Sequence, residues 1–416
     1  MQEMNGKQLQ RAGLQSALDA MADTPVVAIN GARQVGKSTL AQQLWASNGG
    51  QFVTLDDAAQ RDAARADPRG FVERNIDGPL IIDEVQRAPE LFRAIKAAVD
   101  RDRRPGRFVL TGSTRLLSQP GFADALVGRV EVVELWPLSQ GELRETTDRF
   151  VDIVFDGVPS WTTSNITRQQ LIGTLLAGGF PEAISRPANR RAAWFDSYLA
   201  TLTQTVIRDL TGIERLAEMP RIIRLCAARS GLELNVTNFA NELTLPPRTL
   251  DGYLASLANL FVVQLIPAWS TNVSKKVIRR PKLVMVDSGL AARLVGLTAE
   301  SAALPTAPLG PLLESFVAME LRKHLSWSQH GTTLWHFRDR DGIEVDFVLE
   351  RPDGTVVGIE VKASSAVSTR DTKGLRYLAE RLGDRFVAGV VLSFMPEPTP
   401  LGDKLAALPL DVLWRL

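Results

Sequence analysis

Cysteine is almost absent: Cys226 is the single one in 416 residues. A lone thiol has no partner within the chain, so no disulfide framework holds the fold, and a reducing compartment is expected. An excess of one charge is equally lacking, because 48 basic side chains stand against 47 acidic ones and leave a net +1. That balance excludes a broadly basic nucleic-acid coat but leaves room for local patches. Long apolar runs are missing too. The longest, around 261–269 and 386–394, are too short to span a bilayer, and residues 1–15 are polar with no apolar signal region. The expectation is a cytoplasmic protein with no membrane partner. Histidine is scarce, and His324, His330 and His336 form no metal-ligand spacing with cysteine, so they read as partly exposed side chains.

What is present is ordinary for a folded chain: 45% hydrophobic and 23% charged residues, with 31 Gly and 23 Pro. At about 150 residues per domain this length suggests two or three domains. From residue 1 to about 145, short apolar strands (26–30, 52–55, 80–83, 108–111, 130–135) alternate with helical stretches, the pattern of a mostly parallel sheet with helices on its faces. Leu, Ile and Ala at three- and four-residue spacing make 165–260 helical. Strands return at 334–338, 343–350 and 355–362, followed by a helix at about 370–382 and a strand at 386–392. The softest boundaries lie near 161–167 and 302–311. The expected domains are therefore 1–145, 165–300 and 308–416.

Residues 31–38 read Gly-Ala-Arg-Gln-Val-Gly-Lys-Ser, a complete G-x-x-x-x-G-K-[ST] between a strand and a helix. Glycines there let backbone N–H groups turn inward around phosphate oxygens at the positive end of the following helix. The expected nucleotide-binding set is Gly31, Ala32, Arg33, Gln34, Val35, Gly36, Lys37, Ser38 and Thr39. Within it, Lys37 reaches the β- and γ-phosphates of ATP and the Ser38 hydroxyl binds Mg²⁺. The strand Leu80-Ile-Ile-Asp83-Glu84 ends in two acids about 45 residues later. Asp83 is expected to hold Mg²⁺, and Glu84 to orient or deprotonate the attacking water. Thr111 or Ser113, at the tip of the next apolar strand, is expected to hydrogen bond the water or phosphate. Arg129 is either an arginine finger for a neighbouring subunit, which requires an oligomer, or one half of a structural ion pair. Arg101, Arg103, Arg104 and Arg107 read as a solvated loop.

These motifs resemble those of the uncharacterised bacterial and archaeal AAA-type ATPases that carry a C-terminal domain of unknown function. The likeness rests on GARQVGKSTL at 31–40, LIIDEVQ at 80–86, LTGS at 110–113, LVGRVEVVELWPLS at 126–139, GGFPE at 178–182 and RDL at 208–210. It continues through VDSGL at 286–290, LLESFVAMEL at 312–321 and the VDF…IEVKAS pair at 345–364, so it covers nearly the whole chain.

Two short helices, 236–242 and 247–260, joined at Leu245-Pro246-Pro247 and followed by strands at 261–266 and 283–287, have the order of a winged helix. Arg248, Thr249 and Asp251 open its second helix. The intervening loop carries Lys275, Lys276, Arg279, Arg280 and Lys282, a basic patch suited to a DNA backbone. In the tail, Asp346, Glu360 and Lys362 have the residue types of a PD-(D/E)xK nuclease, with Glu314 as the helix acid and Glu320 as a second candidate. Such acids hold a divalent cation while the lysine positions water. Alternation puts Glu360 and Lys362 on one face. Asp346 joins them if a three-residue turn, Pro352-Asp353-Gly354, sets the hairpin register. The expected fold class is thus α/β, with a P-loop parallel sheet, a helical and winged-helix middle and a nuclease-like α/β tail. The leading functional expectation is an ATP- and Mg²⁺-dependent ATPase that remodels or translocates on DNA as a homo-oligomer, such as a ring. The alternatives are an ATP-gated metal-dependent nuclease and a nucleotide-controlled protein-binding switch.

Overall fold

The computed structural model describes residues 3–4, 7–74, 77–146, 148–158, 163–209, 218–271, 280–304 and 306–416. They form two compact units, one of residues 1–138 with 259–261 and one of 139–258 with 262–416.

The first unit is built on five parallel strands, β1 (Val26–Asn30), β2 (Gln51–Thr54), β3 (Leu80–Asp83), β4 (Phe108–Gly112) and β5 (Val130–Glu134), in the spatial order β2-β3-β4-β1-β5. Every residue of β1, β3 and β4 is buried, whereas the edge strands β2 and β5 are only partly so. That is why the three central strands read as continuous apolar runs rather than alternating ones. The helix Leu91–Arg101 buries Leu91, Phe92, Ile95, Ala98 and Val99 at helical spacing against this sheet. Phe92 meets Phe122 of the helix Phe122–Leu126 edge to face, with centroids 5.1 Å apart.

The second unit begins with helices, including Arg168–Ala177, Met219–Ala228, Val236–Leu243 and Pro247–Asn259. A two-stranded antiparallel ribbon follows, β6 (Val263–Ile266) with β7 (Lys282–Met285), in which Ile266 faces Lys282. After the 17-residue helix Leu309–Leu325 comes a six-stranded mixed sheet. Its strands β8 (Thr333–Arg338), β9 (Glu344–Glu350), β10 (Val356–Lys362), β11 (Phe386–Ser393), β12 (Thr399–Gly402) and β13 (Leu405–Pro409) lie in the order β8-β9-β10-β11-β13-β12. The last two strands have no counterpart in the sequence expectations; each is short and contains proline, which hides a strand pattern. Pairs from Phe347↔Ile359 to Glu350↔Val356 fix the β9–β10 register, which runs on to set Asp346 against Glu360. Gly354 has φ 83° in the three-residue turn, a conformation that a residue without Cβ adopts freely. Among the described residues no helix is long and apolar enough to cross a membrane.

Candidate active site

At the carboxyl end of β1 the chain turns through residues 31–36 and enters the helix Lys37–Asn48. Gln34 and Gly36 both take positive φ, 64° and 99°, which turns successive backbone N–H groups to one side. Gly31 is required by space: a Cβ there would lie 2.2 Å from the carbonyl oxygen of Leu135. No side chain caps the helix, so its first N–H groups remain for a ligand. Lys37 is buried, its Nζ donating to the Ala32 carbonyl at 2.8 Å, and burial pushes its pKa down to about 8 against the opposing pull of Glu84 and Asp83. A desolvated ammonium beside uncapped amides fits the polyphosphate of a nucleotide.

Asp83 ends β3, and hydroxyls from three elements converge on it. Ser38 Oγ lies 3.0 Å from each carboxylate oxygen, Thr111 Oγ1 donates to Oδ1 at 2.6 Å, and Thr54 Oγ1 donates to Oδ2 at 3.3 Å. A serine hydroxyl and a carboxylate side by side are the hard oxygen donors that Mg²⁺ accepts while keeping several of its waters. Glu84, the next residue, has φ 57° and ψ 46°, and its N–H donates to Thr111 Oγ1 at 3.0 Å. Gln86 Nε2 donates both to Glu84 Oε2 and, at 3.1 Å, to Ser113 Oγ. Ser113 is thereby connected to the acid rather than standing alone at a strand tip.

Three members of this arrangement escape sequence reading. Thr54 lies on the far strand, Gln86 follows the acidic pair, and Arg11 is remote from every motif. Arg11 is buried and donates to the carbonyls of Val35 at 2.5 Å and Trp136 at 2.8 Å, so it braces the phosphate loop from behind. Only the polar tip of LIIDEVQ could have signalled Gln86. Arg129 is held by Asp100, 2.5 Å away. It precedes Val130, which pairs with Val26 at the start of β1, so one strand length of about 16 Å separates it from the phosphate loop of its own chain. Arg101 pairs with Glu73, Arg104 and Arg107 lie within 3.5 Å of Asp102, and Arg103 donates to the Gly128 carbonyl.

In the second unit, Lys282 requires a correction. It is not part of an exposed basic loop: it opens strand β7, is 7% exposed, and points its ammonium at Glu314 Oε2 (3.0 Å) and Asp346 Oδ1 (3.3 Å). Lys275, Lys276 and Arg279 lie outside the described residues, and Arg280 is exposed. Asp346 Oδ2 accepts the Val361 N–H at 2.9 Å, and Lys362 Nζ lies 3.5 Å from Glu360 Oε2. Glu314, Asp346, Glu360 and Lys362 are thus brought together, but with Lys282 among them. Burial and then the Asp346 charge push Glu360 up to about 9 and Glu314 up to about 7. Burial opposes the charge on Lys282, yet Asp346 and Glu314 outweigh it and raise its pKa. The Lys282 ammonium lies between two of the acids, where a divalent cation would have to sit, so with this lysine in place the donor set does not fit one. Among the described residues no group of three or more His, Cys, Asp or Glu side chains is placed to hold a metal.

Glu320 stands apart from this cluster. It is fully buried, accepting from the Gln140 N–H at 2.8 Å and from Lys323 Nζ at 2.6 Å. His324 and His336 are buried rather than partly exposed, because the helix Leu309–Leu325 and strand β8 turn them inward; His330 alone is open. The GGFPE and VDSGL motifs meet at Asp287, whose carboxylate accepts from the N–H groups of Gly179 (2.6 Å) and Leu290 (2.8 Å).

Comparison with known proteins agrees with the first unit's geometry. Residues 23–144 match the family model described as an AAA domain. That match takes in the phosphate loop, the Asp83–Glu84 pair and Arg129, the motifs on which the resemblance to AAA-type ATPases rests. Residues 168–301 and 309–413 match two domains of unknown function. An uncharacterized protein of Mycobacterium tuberculosis is 29% identical over 395 residues, 94% of this chain and 81% of the relative, and one of Mycobacterium bovis matches equally. A Walker-type ATPase of Pyrococcus abyssi superposes with a TM-score of 0.39 at 14% identity, covering 70% of this chain and 97% of that one. AMPPCP-bound DnaA of Aquifex aeolicus gives 0.27 at 14% identity, covering 59% and 85%.

Proposed function

We propose that this AAA-type chain hydrolyses ATP in the first unit and uses the turnover to act on DNA as a homo-oligomer. The observation that carries the catalytic reading is the Ser38–Asp83 pair, 3.0 Å apart, beside an uncapped helix start and a buried Lys37. Backbone N–H groups of residues 31–38 and the Lys37 ammonium would cradle the phosphates. Ser38 and Asp83 would hold Mg²⁺, which when bound neutralises charge on the β- and γ-phosphate oxygens. Thr111 keeps Asp83 and the Glu84 backbone in place. Glu84 takes the proton of, or aligns, the attacking water, and Gln86 with Ser113 fixes where its carboxylate points. Arg129 is proposed to serve a neighbouring subunit's site, since its own chain's site lies a strand length away.

The DNA reading is supported by the order of helices Val236–Leu243 and Pro247–Asn259 with the β6–β7 ribbon, a winged-helix order, and by four basic residues, Lys275, Lys276, Arg279 and Arg280, between the ribbon strands. The test is steady-state ATPase activity of purified protein with and without duplex and branched DNA. Lys37→Ala and Glu84→Gln should each lower kcat at least about 100-fold. Turnover that survives both substitutions removes the site assignment. Turnover without DNA stimulation or DNA affinity at low salt leaves the nucleotide-controlled protein switch as the reading. Mass measurement with a non-hydrolysable ATP analogue tests the oligomer.

A further inference from the structure

We propose that the ammonium of Lys282 is the resident cation of the Glu314–Asp346–Glu360 cluster, lying where a nuclease-like reading of these acids needs a divalent metal, so that the cluster takes up no metal while Lys282 is in place. Four observations carry this. Lys282 Nζ is within 3.3 Å of oxygens from two of the three acids and 3.4 Å from the Asp346 carbonyl, so its donors are spent on the cluster. Lys282, Asp346 and Glu360 are each at most 7% exposed, and Glu314 is partly buried beside them. Its backbone is pinned on both sides, by Ile266 across the ribbon and by a bridge to Glu233, so the side chain cannot leave by a loop movement. Finally, the ammonium lies 5.1 Å from the centre of the Phe347 ring, whose face favours a cation in that position.

The chemistry is one of substitution. A compact ammonium with three N–H donors satisfies carboxylate oxygens at hydrogen-bond distance, as a metal would at shorter range. Both cannot share that place, because a divalent ion bridging Glu314 and Asp346 would need the same oxygens at shorter range and would lie in contact with the ammonium, whose charge repels it. Lys362 remains on the Glu360 side, 3.5 Å from Oε2. The cluster is therefore a buried polar joint between β7, the helix Leu309–Leu325 and the β9–β10 hairpin, not a loaded hydrolytic centre. This inference does not depend on the ATPase reading.

Mn²⁺ titration of the nucleotide-free full chain, followed by the paramagnetic resonance of free Mn²⁺, tests it. Wild type and Asp346→Asn should give superimposable curves. Lys282→Met should gain one site at least tenfold tighter than any in wild type, and the double variant Lys282→Met/Asp346→Asn should lose it. Lys282→Gln, which keeps a hydrogen-bonding side chain, replaces Lys282→Met if the latter does not fold. A wild-type Mn²⁺ site that disappears in Asp346→Asn overturns the proposal, and so does a folded Lys282 variant that gains no site.

Discussion

Glu84 sits in a left-handed backbone conformation that residues with a Cβ avoid at about 1 kcal/mol or more. The Thr111 hydroxyl on its N–H and the Gln86 amide on its carboxylate hold it there. Any effect of Gln86 on turnover is therefore expected to pass through Glu84. Gln86→Ala should lower kcat about tenfold and leave KM within about twofold, whereas a phosphate-binding residue would move KM. Lys37 offers a proton signature. Its pKa in the free protein is lowered to about 8 from 10.5. Below pH 8 it is charged in both folded and unfolded chains and the burial penalty is fully present; between about 8 and 10.5 only the unfolded chain keeps the proton, so this group's contribution to stability improves as pH rises. Polyphosphate restores the charge, so nucleotide binding at pH 8.5 should be accompanied by proton uptake. Calorimetry in buffers of different ionisation enthalpy measures it, and Lys37→Ala should abolish it.

Strand order makes the site. β4 lies between β1 and β3, and Thr111 at its end reaches Asp83, so three non-consecutive segments share one carboxylate. The phosphate loop was legible because strand, turn and helix are contiguous and the glycines do one local job. The hairpin was legible too, since a three-residue turn dictates which residues face each other. Thr54 and Arg11 were not, because nothing in their own neighbourhood says that a parallel sheet and a folded-back terminus bring them to the loop. The motifs GGFPE and VDSGL offer a structural prediction. Asp287 is buried, caps the helix Ser288–Leu294 and accepts the Gly179 N–H, so Asp287→Ala leaves buried donors unpaired. It should destabilise the protein by roughly 2–3 kcal/mol, read as a lower urea midpoint with an unchanged slope.

Across the molecule the balance of 48 basic against 47 acidic side chains is spent locally. Counting by sequence puts five cations between 275 and 282, but Lys282 is committed to Glu314 and Asp346. DNA binding through the remaining four should give a slope of log K against log salt no steeper than about −4. Removing Lys275, Lys276, Arg279 and Arg280 together should flatten it, and Lys282→Gln should not change it. A steeper slope, measured by fluorescence anisotropy at several salt concentrations, would place DNA on another surface. Nucleotide binding has its own thermodynamic mark: at 100 times Kd a non-hydrolysable ATP analogue should stabilise the folded protein by about 2.7 kcal/mol, an effect absent in Lys37→Ala.

By itself, the sequence determined the parallel-sheet class of the first unit, the phosphate loop, the paired acids at the end of β3 and the register of the β9–β10 hairpin. Each is written in contiguous residues, where glycine freedom, helix polarity and strand periodicity act over a few positions. Tertiary structure alone decided which hydroxyls surround Asp83, that Gln86 hydrogen bonds Glu84 and Ser113, and that a lysine counted toward DNA is buried in an acidic cluster. Those outcomes depend on which strands become neighbours and how much water is excluded between them. The same charge is a solvated ligand-binding group or an internal counterion according to that environment, and composition carries no record of it.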